Sequence, residues 1–284
     1  MFERQKSGSV LCPSCGSLVG VNDATCFTCG RRRPGLFGFS ALLKNTGEDM
    51  GFLGLVLFVC GALFMVSLAA SGDLGGSRGL LGILAPDVRV LRRFGASGAM
   101  PVFEMGRWWT VLSYAWLHGG LIHIVFNMMA ARDLIPALAH LYGAARTIII
   151  YVASAVSGAL LSSAIGAYGV FLPPLLSGAR TSVGASGAIF GLLGALAYYG
   201  RRSGSRAIGE MARRWILSGL VMGFVMIGID NWCHLGGLAG GYLVGRWLDP
   251  LKPERGDHVV AAVLCLLASA AAIAASLLID ARLA

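Results

Sequence analysis

Charged residues are scarce in this sequence, and acidic residues are the scarcest of them. Asp, Glu, Lys and Arg together make up 13% of the 284 residues, whereas soluble globular domains carry about 25%. Hydrophobic residues account for 56% of the chain. This balance excludes an ordinary soluble domain and favours a protein that crosses a membrane several times.

An apolar segment is also missing from the first forty residues, so we expect no signal peptide there. Farther along, seven apolar segments each approach the roughly 20 residues that a helix needs to cross a bilayer. We predict membrane spans at residues 51–70, 118–139, 147–165, 184–200, 215–229, 231–248 and 259–279. The first six form a core at 51–250, and the seventh is a C-terminal addition within 251–284.

Basic residues are concentrated in loops that share one side of the membrane if the spans alternate. They precede the first span, separate the fourth from the fifth, and separate the sixth from the seventh. The loop at 71–107 also holds arginines and departs from this pattern. Because Lys and Arg favour the cytoplasmic side, we expect a cytoplasmic N-terminus in a multi-pass protein of a bacterial inner membrane.

The net charge of +9 is then explained by topology and by contact with anionic membrane lipid. The basic residues form no single patch and no known nucleic-acid motif. We therefore expect membrane lipid, and no nucleic acid, as a partner.

Cysteine is patterned near the N-terminus. Cys12 and Cys15 form one Cys-x-x-Cys pair, Cys26 and Cys29 form a second, and a glycine follows each pair. Four thiolates on two such turns are typical of a structural zinc site. Two disulfides are the alternative, which a reducing cytoplasm disfavours. We predict a zinc-ribbon-like head at 1–34 that binds Zn²⁺ without a role in catalysis, followed by a linker at 35–50.

A serine at the start of the fourth span is unusual in its surroundings. Ser186 lies in a Gly-Ala-Ser-Gly stretch, and glycines recur at intervals of three and four along the same predicted helix. Glycines with similar spacing follow His234 in the sixth span. Since small residues let helices approach closely within lipid, we predict that these spans touch and that His234 is the base for a Ser186 nucleophile. Helix packing is the alternative explanation of the glycine-flanked serine alone.

Two polar side chains share one face of the second span. His123 and Asn127 are four residues apart, so both should point from one side of the helix into the bundle. Both can donate hydrogen bonds, and two donors near a serine would hold the oxyanion of an acyl-transfer reaction. His118 lies off that face, and the sequence leaves open whether it is an interfacial structural residue or a direct participant.

In their order along the chain, these motifs resemble those of the rhomboid family of intramembrane serine proteases. The similarity covers roughly residues 51–250. The three motifs are His118-x4-His123-x3-Asn127, Gly184-Ala-Ser186-Gly187 and Asp230-Asn-Trp-Cys-His234. The resemblance implies an all-α polytopic membrane protein, a rhomboid-like six-helix bundle that is extended here by the zinc-ribbon head and a seventh transmembrane helix.

The resemblance also implies a reaction. It implies a serine endopeptidase that cleaves transmembrane segments of membrane proteins through a Ser186–His234 dyad, without the acid of a triad. The oxyanion hole would comprise the side chains of His123 and Asn127 and the backbone N–H of Ser186. The expected partners are transmembrane protein substrates and membrane lipid, and a cytoplasmic partner of the zinc head is left open. Residues 166–183 are rich in Gly and Pro, so we expect them to form a movable cover over the dyad.

Two alternatives to a protease remain at the level of sequence. A catalytically silent rhomboid-like protein that binds membrane clients would keep the same fold. A transporter is disfavoured because carboxylates are absent from the fourth and sixth spans and no repeat is evident. The sequence departs from the family pattern at Arg107-Trp108, where Trp-Arg is usual, and at Cys233, where Ala is common. We interpret Asp230 as the residue that bounds the sixth span.

Overall fold

The computed structural model describes residues 7–12, 15–35, 49–72, 84–169, 171–173, 176–226 and 228–281. Within these ranges the protein is mostly helical, with one small hairpin near the N-terminus. The predicted linker at 35–50 falls largely outside the described residues.

The N-terminal hairpin carries its own small core. Its strands, β1 (Ser9–Leu11) and β2 (Leu18–Gly20), pair antiparallel with Val10 opposite Val19. Cys12 and Cys26 are buried against these valines. The head is therefore a short hairpin packed on cysteines, as expected of a chain segment with few apolar residues.

Nine α-helices follow in the described part of the chain. They are α1 (Phe52–Ala70), α2 (Val88–Arg93), α3 (Thr110–Ser113), α4 (Leu121–Tyr142), α5 (Ala144–Tyr168), α6 (Ser186–Ser203), α7 (Arg206–Val225), α8 (Asn231–Trp247) and α9 (Gly256–Ala281). Helix α6 lies at the centre and packs against α4, α5, α7 and α8, whereas α9 packs against α3 and α5.

Four helices are long and apolar enough to cross a membrane by length and composition: α1, α4, α5 and the Gly256–Ile279 part of α9. Helix α6 ends in two arginines, α7 carries charged residues through its first half, and α8 has 17 residues. Most of α6 is covered by other helices rather than by lipid, so it needs no apolar outer surface. Composition alone therefore supports four of the seven predicted spans.

Several helices begin at residues that differ from the starts of the predicted spans. Helix α4 begins at Leu121, which leaves His118 in the preceding loop, and α6 begins at Ser186 rather than at Gly184. Helix α7 begins at Arg206, although the fifth span was predicted at 215–229. Arginine is a good helix former, so the helix extends through basic residues that hydropathy assigns to a loop.

Candidate active site

A cavity of about 1300 Å³ opens between α4, α6, α7 and α8. Four side chains that the sequence singles out line it, namely Ser186, His234, His123 and Asn127. The cavity thus gathers residues from all three sequence motifs, which lie on separate helices.

Ser186 is the first residue of α6 and is half-buried. The first N–H groups of a helix have no partner within the helix. The residue before it, Ala185, offers no side-chain hydrogen bond to this helix end. Together with the helix dipole, these N–H groups make the start of α6 a favourable place for negative charge beside the Ser186 hydroxyl.

His234 lies in the first turn of α8 and is only 5% exposed. Its ring stacks on the ring of Phe190, with centroids 4.1 Å apart and an interplanar angle of 8°. Phe190 follows Ser186 by four residues, so the two side chains project from the same face of α6. That face is therefore turned toward the imidazole.

Glycines bring the backbones of α6 and α8 into contact. A Cβ atom at Gly237 would overlap the carbonyl oxygen of Gly187, and one at Gly241 would overlap that of Gly191. A Cβ atom at Gly187 would lie 2.7 Å from the sulfur of Cys233, the residue before the histidine. The prediction that the glycine stripes of the fourth and sixth spans pack together is confirmed.

No hydrogen bond joins the Ser186 hydroxyl to the His234 ring among the described contacts. His234 Nδ1 likewise has no hydrogen-bond partner among the residues that the structure describes. Free active sites often show catalytic pairs that are long or poorly aligned and that tighten when substrate binds. Because α6 and α8 are already in contact, a dyad here requires a change of side-chain position rather than an approach of the helices.

His123 and Asn127 lie on one face of α4, as predicted, and both point at Gly184. A Cβ atom at Gly184 would lie 2.6 Å from His123 Nε2 and 3.8 Å from Asn127 Nδ2. Gly184 has a φ of +125°, a conformation that glycine tolerates. Two nitrogen atoms that can donate hydrogen bonds therefore face the backbone that leads into α6.

Local hydrogen bonds orient both of these side chains. His123 Nδ1 accepts the N–H of Gly119 at 3.4 Å, so a neutral ring carries its proton on Nε2, the nitrogen that faces Gly184. Asn127 Nδ2 donates one hydrogen to the His123 carbonyl at 2.9 Å and keeps a second. Each side chain thus retains one donor for the cavity.

Comparison with protein families agrees with this geometry. The model of the Rhomboid domain matches residues 105–249, which is half of the chain. The chain belongs to the rhomboid family. The matched region runs from just before α3 to the end of α8, so it contains the cavity and excludes the cysteine-containing head, α1 and α9.

Individual rhomboid proteins match over a similar region. Rhomboid protease GluP of Bacillus subtilis is 34% identical over 169 residues, which cover 58% of this chain and 31% of that protein. RHOMBOID-like protein 5 of Arabidopsis thaliana is 32% identical over 61% of this chain and 54% of its own length. Putative rhomboid protease YdcA of Bacillus subtilis is 32% identical over 53% of this chain and 71% of its own. The match therefore spans about a third of the first relative and about half of the second.

Within the rhomboid domain, His118 lies behind the oxyanion candidates rather than in the cavity. It is fully buried, and its ring meets that of His123 edge to face with centroids 5.2 Å apart. Neither of its ring nitrogens has a hydrogen-bond partner among the described residues. Its position suits packing against His123 better than contact with a substrate.

The two residues that depart from the rhomboid pattern differ in burial. Arg107 is only 7% exposed, whereas Trp108 is 51% exposed and meets Phe103 edge to face at 5.0 Å. The indole Nε1 of Trp109 donates a hydrogen bond to Ser276 Oγ at 3.0 Å. Helix α9, which corresponds to the seventh predicted span, is thereby joined to the segment just before α3.

Tyr114 is a buried residue beside the site that the sequence does not indicate. Its hydroxyl donates to the carbonyl of Ala155 at 2.8 Å and lies 3.3 Å from Cys233 Sγ. Its own carbonyl accepts the N–H of Gly184 at 3.1 Å. These partners come from three distant parts of the chain, so no local pattern could have indicated the role of this tyrosine.

The four predicted zinc ligands form a cluster in the head. The sulfur atoms of Cys12, Cys15, Cys26 and Cys29 all lie within 4.8 Å of one another, and this group could hold a metal ion. The glycines that follow the two pairs both have φ of +72°, the left-handed conformation that a tight turn requires.

In this structure the cluster consists of thiols whose spacing fits a tetrahedral ion. Cys12 and Cys29 sulfurs are 3.7 Å apart, Cys15 and Cys26 sulfurs are 3.6 Å apart, and none of the four cysteines is in a disulfide. A disulfide has an S–S length of about 2.05 Å. Four sulfurs at about 2.3 Å from a tetrahedral zinc ion would be separated by about 3.8 Å.

The thiols of the cluster differ in acidity. Burial raises the pKa of Cys15, but hydrogen bonds with Ser17 and with neighbouring cysteines outweigh it and bring the pKa to about 6. Burial raises the pKa of Cys29 to about 12. Since metal ligands must be thiolates, metal binding to this cluster would release protons.

Proposed function

We propose that this rhomboid is an intramembrane serine endopeptidase that cleaves transmembrane segments of membrane proteins. The observation that carries the proposal is that Ser186, His234, His123 and Asn127 line one cavity. Of the three relatives described above, two are named as proteases. This supports the same class of reaction here.

Ser186 is the proposed nucleophile and His234 its general base. The serine oxygen attacks a peptide carbonyl carbon while its proton passes to the imidazole. The tetrahedral intermediate then collapses, the C–N bond breaks, and His234 gives the proton to the departing amine. Water repeats the sequence on the acyl-serine, with His234 taking a proton from water, so that the acid product and the free hydroxyl are released.

The oxyanion of each intermediate is proposed to lie between α4 and the start of α6. The N–H of Ser186 belongs to the uncapped first turn of α6, where partial positive charge is concentrated. His123 Nε2 and Asn127 Nδ2 face the same stretch of backbone. Donors that are fixed before the reaction stabilise developing charge without reorganisation.

The walls of the cavity suit a transmembrane substrate. Phe126 and Met129 of α4 lie on one side, and Met222 and Phe224 of α7 lie on the other. Of the described side chains of α7, only Ala212 is buried, so most side chains of this helix are partly or fully exposed. We propose that a substrate segment enters between α4 and α7 and unwinds near Ser186.

The proposed setting is a bacterial inner membrane with a cytoplasmic N-terminus. Basic loops on one side support this orientation. The start of α6 would then lie toward the opposite surface, from which water can reach Ser186. The proteolytic site and the cysteine cluster would face different compartments.

The head is proposed to hold one structural Zn²⁺ through Cys12, Cys15, Cys26 and Cys29. Its all-sulfur donor set and S···S distances near 3.7 Å suit zinc in a closed tetrahedral site. When bound, the ion crosslinks two turns in a domain with a very small core. A head stabilised in this way could serve as a binding site for a cytoplasmic partner.

The test is cleavage of a model transmembrane substrate by the purified full chain in proteoliposomes. Ser186→Ala and His234→Ala should each lower kcat by at least about 1000-fold, because the serine and the histidine act together and neither works without the other. Ser218→Ala is the matched control, since Ser218 also lines the cavity and has no proposed role. Undiminished cleavage in both dyad variants would refute the mechanism. A folded wild type that retains clients without cleaving them would point to the catalytically silent alternative.

A further inference from the structure

Asp230 connects three parts of the rhomboid domain at the edge of the cavity. Its Oδ2 accepts hydrogen bonds from Ser162 Oγ at 2.5 Å and from Ser182 Oγ at 2.8 Å. Its Oδ1 accepts the backbone N–H of Cys233 at 3.0 Å and so caps the start of α8. The carboxylate therefore joins α5, the segment before α6, and α8.

The partners of Asp230 lie close in sequence to both members of the proposed dyad. Ser182 precedes Ser186 by four residues, and Cys233 immediately precedes His234. Ser162 and Ser182 are nearly completely buried, so their bonds to a carboxylate are shielded from water. One carboxylate that accepts three hydrogen bonds ties the chain at more points than a usual helix cap, whose side chain bonds only to its own helix.

The segment that Asp230 holds is fixed at several further points. Ser97 and Ser182 exchange two backbone hydrogen bonds, at 3.0 and 2.8 Å. The indole Nε1 of Trp232, at the start of α8, donates to the Leu176 carbonyl at 2.8 Å. The described part of the predicted cover at 166–183 is thus bonded to α8. Of these bonds, those of Asp230 lie nearest the starts of the helices that carry Ser186 and His234.

We propose that Asp230 is a positioning residue that fixes the start of the Ser186 helix relative to the start of the His234 helix. This role rests on the proposed protease function. The carboxylate of Asp230 makes its described hydrogen bonds to Ser162, Ser182 and the Cys233 N–H and none to the Ser186 hydroxyl or the His234 imidazole. Because two reacting groups must be aligned closely, a displacement of about 1 Å can lower a rate by about 100-fold.

The test compares Asp230→Ala, Asp230→Asn and Ser182→Ala in the full chain. The measurements are kcat and KM for a model transmembrane substrate and the rate of labelling by a fluorophosphonate, all well below the melting temperature of each variant. Asp230→Ala should lower kcat and the labelling rate by about 100-fold, with KM changed by less than about threefold. In Asp230→Asn, the amide oxygen still accepts the Cys233 N–H, and the amide nitrogen donates to the hydroxyl oxygens of Ser162 and Ser182. This variant should therefore recover most of the rate, and Ser182→Ala should fall between the two.

Asp87→Ala is the matched control, because Asp87 also caps a helix through a backbone N–H, that of Arg89 at 2.7 Å. It should retain wild-type kcat. Hydrogen exchange provides a readout that is independent of activity, and exchange at residues 178–186 should be faster in Asp230→Ala than in wild type.

Two results would overturn the proposed role of Asp230 and leave the proposed protease function standing. They are wild-type labelling by Asp230→Ala, and an activity loss that Asp230→Asn fails to recover while exchange at 178–186 is unchanged. A wild-type chain that neither cleaves nor labels would instead remove the proposed protease function, and this role would be lost with it.

Discussion

Gly184 shows how one backbone position can shape the candidate site. Its φ of +125° turns the chain into α6, and the space where a Cβ would lie is occupied by the ring of His123. The glycine had been predicted as part of a helical stripe. In the structure it instead precedes the helix and lets the proposed oxyanion donors approach Ser186.

Gly184→Ala should therefore lower cleavage strongly. The new methyl group would lie 2.6 Å from His123 Nε2 and would also strain a backbone conformation that L-residues avoid. We expect a fall in kcat of about 100-fold or more, comparable to the loss of one oxyanion donor. Gly54→Ala in α1 is the control, since nothing lies within 4 Å of a Cβ there. Full activity in Gly184→Ala would contradict the assigned geometry.

The sequence predicts the side chains of the candidate site more readily than the residues that hold them in place. Ser186, His234, His123 and Asn127 belong to motifs with local spacing, and the structure brings them to one cavity. Tyr114 could not be foreseen, because it is defined by hydrogen bonds to residues far along the chain. Asp230 was foreseen only as a boundary, since its second oxygen contacts Ser162 and Ser182, and no periodic pattern links these residues.

At the scale of elements, glycine spacing was the most informative signal. Intervals of three and four predicted a close crossing of the fourth and sixth spans, and overlap at Gly237 and Gly241 bears this out. Helix ends were less predictable. Hydropathy locates only the apolar second half of the fifth span. The helix itself begins at Arg206, with Ser205 as its N-cap residue.

Gly241→Ala should separate α6 from α8. A methyl group there would overlap the carbonyl oxygen of Gly191, and overpacking of this kind costs about 1–3 kcal/mol. We expect a lower melting temperature and a loss of cleavage. Gly61→Ala, at a helical glycine with open space around it, should leave the melting temperature unchanged or raise it through better helix propensity. Equal melting temperatures for the two variants would show that the crossing is not close.

Helix α9, which corresponds to the seventh predicted span, illustrates a limit of family resemblance. Helix α9 lies outside the matched Rhomboid domain, so its position could not be inferred from the motifs. Trp109 bonds to Ser276, and Glu254, just before α9, accepts the backbone N–H of Arg146 at 3.1 Å. Bonds near both ends of the helix thus connect it to Trp109 and Arg146, which lie inside the matched domain.

At the scale of the whole molecule, the chain combines a rhomboid domain with a cysteine-clustered head. Low charge and long apolar segments predicted a polytopic helical protein, and the structure confirms a mostly helical fold with several candidate spans. The cysteine spacing predicted that four sulfurs would converge, and they do. Orientation in the membrane and the identity of the metal remain predictions.

The head should contain one zinc ion per chain, measured by elemental analysis of purified protein. Cys12→Ser and Cys26→Ser should each abolish stoichiometric zinc, because each removes a ligand of a closed site. Cys265→Ala should retain it, since that cysteine lies in α9. Chelation should unfold the head while cleavage by the rhomboid domain continues. Metal-free wild-type protein with oxidised cysteines would contradict the zinc assignment.

The central claim is that Ser186 is an activated nucleophile and that His234 activates it. The most direct measurement is labelling of the purified protein with a fluorophosphonate, followed by mapping of the modified peptide, because it requires no knowledge of the substrate. The account predicts modification at Ser186 in wild type and little or none in folded His234→Ala. Absence of label at Ser186 in folded wild type, or equal labelling in His234→Ala, would contradict it.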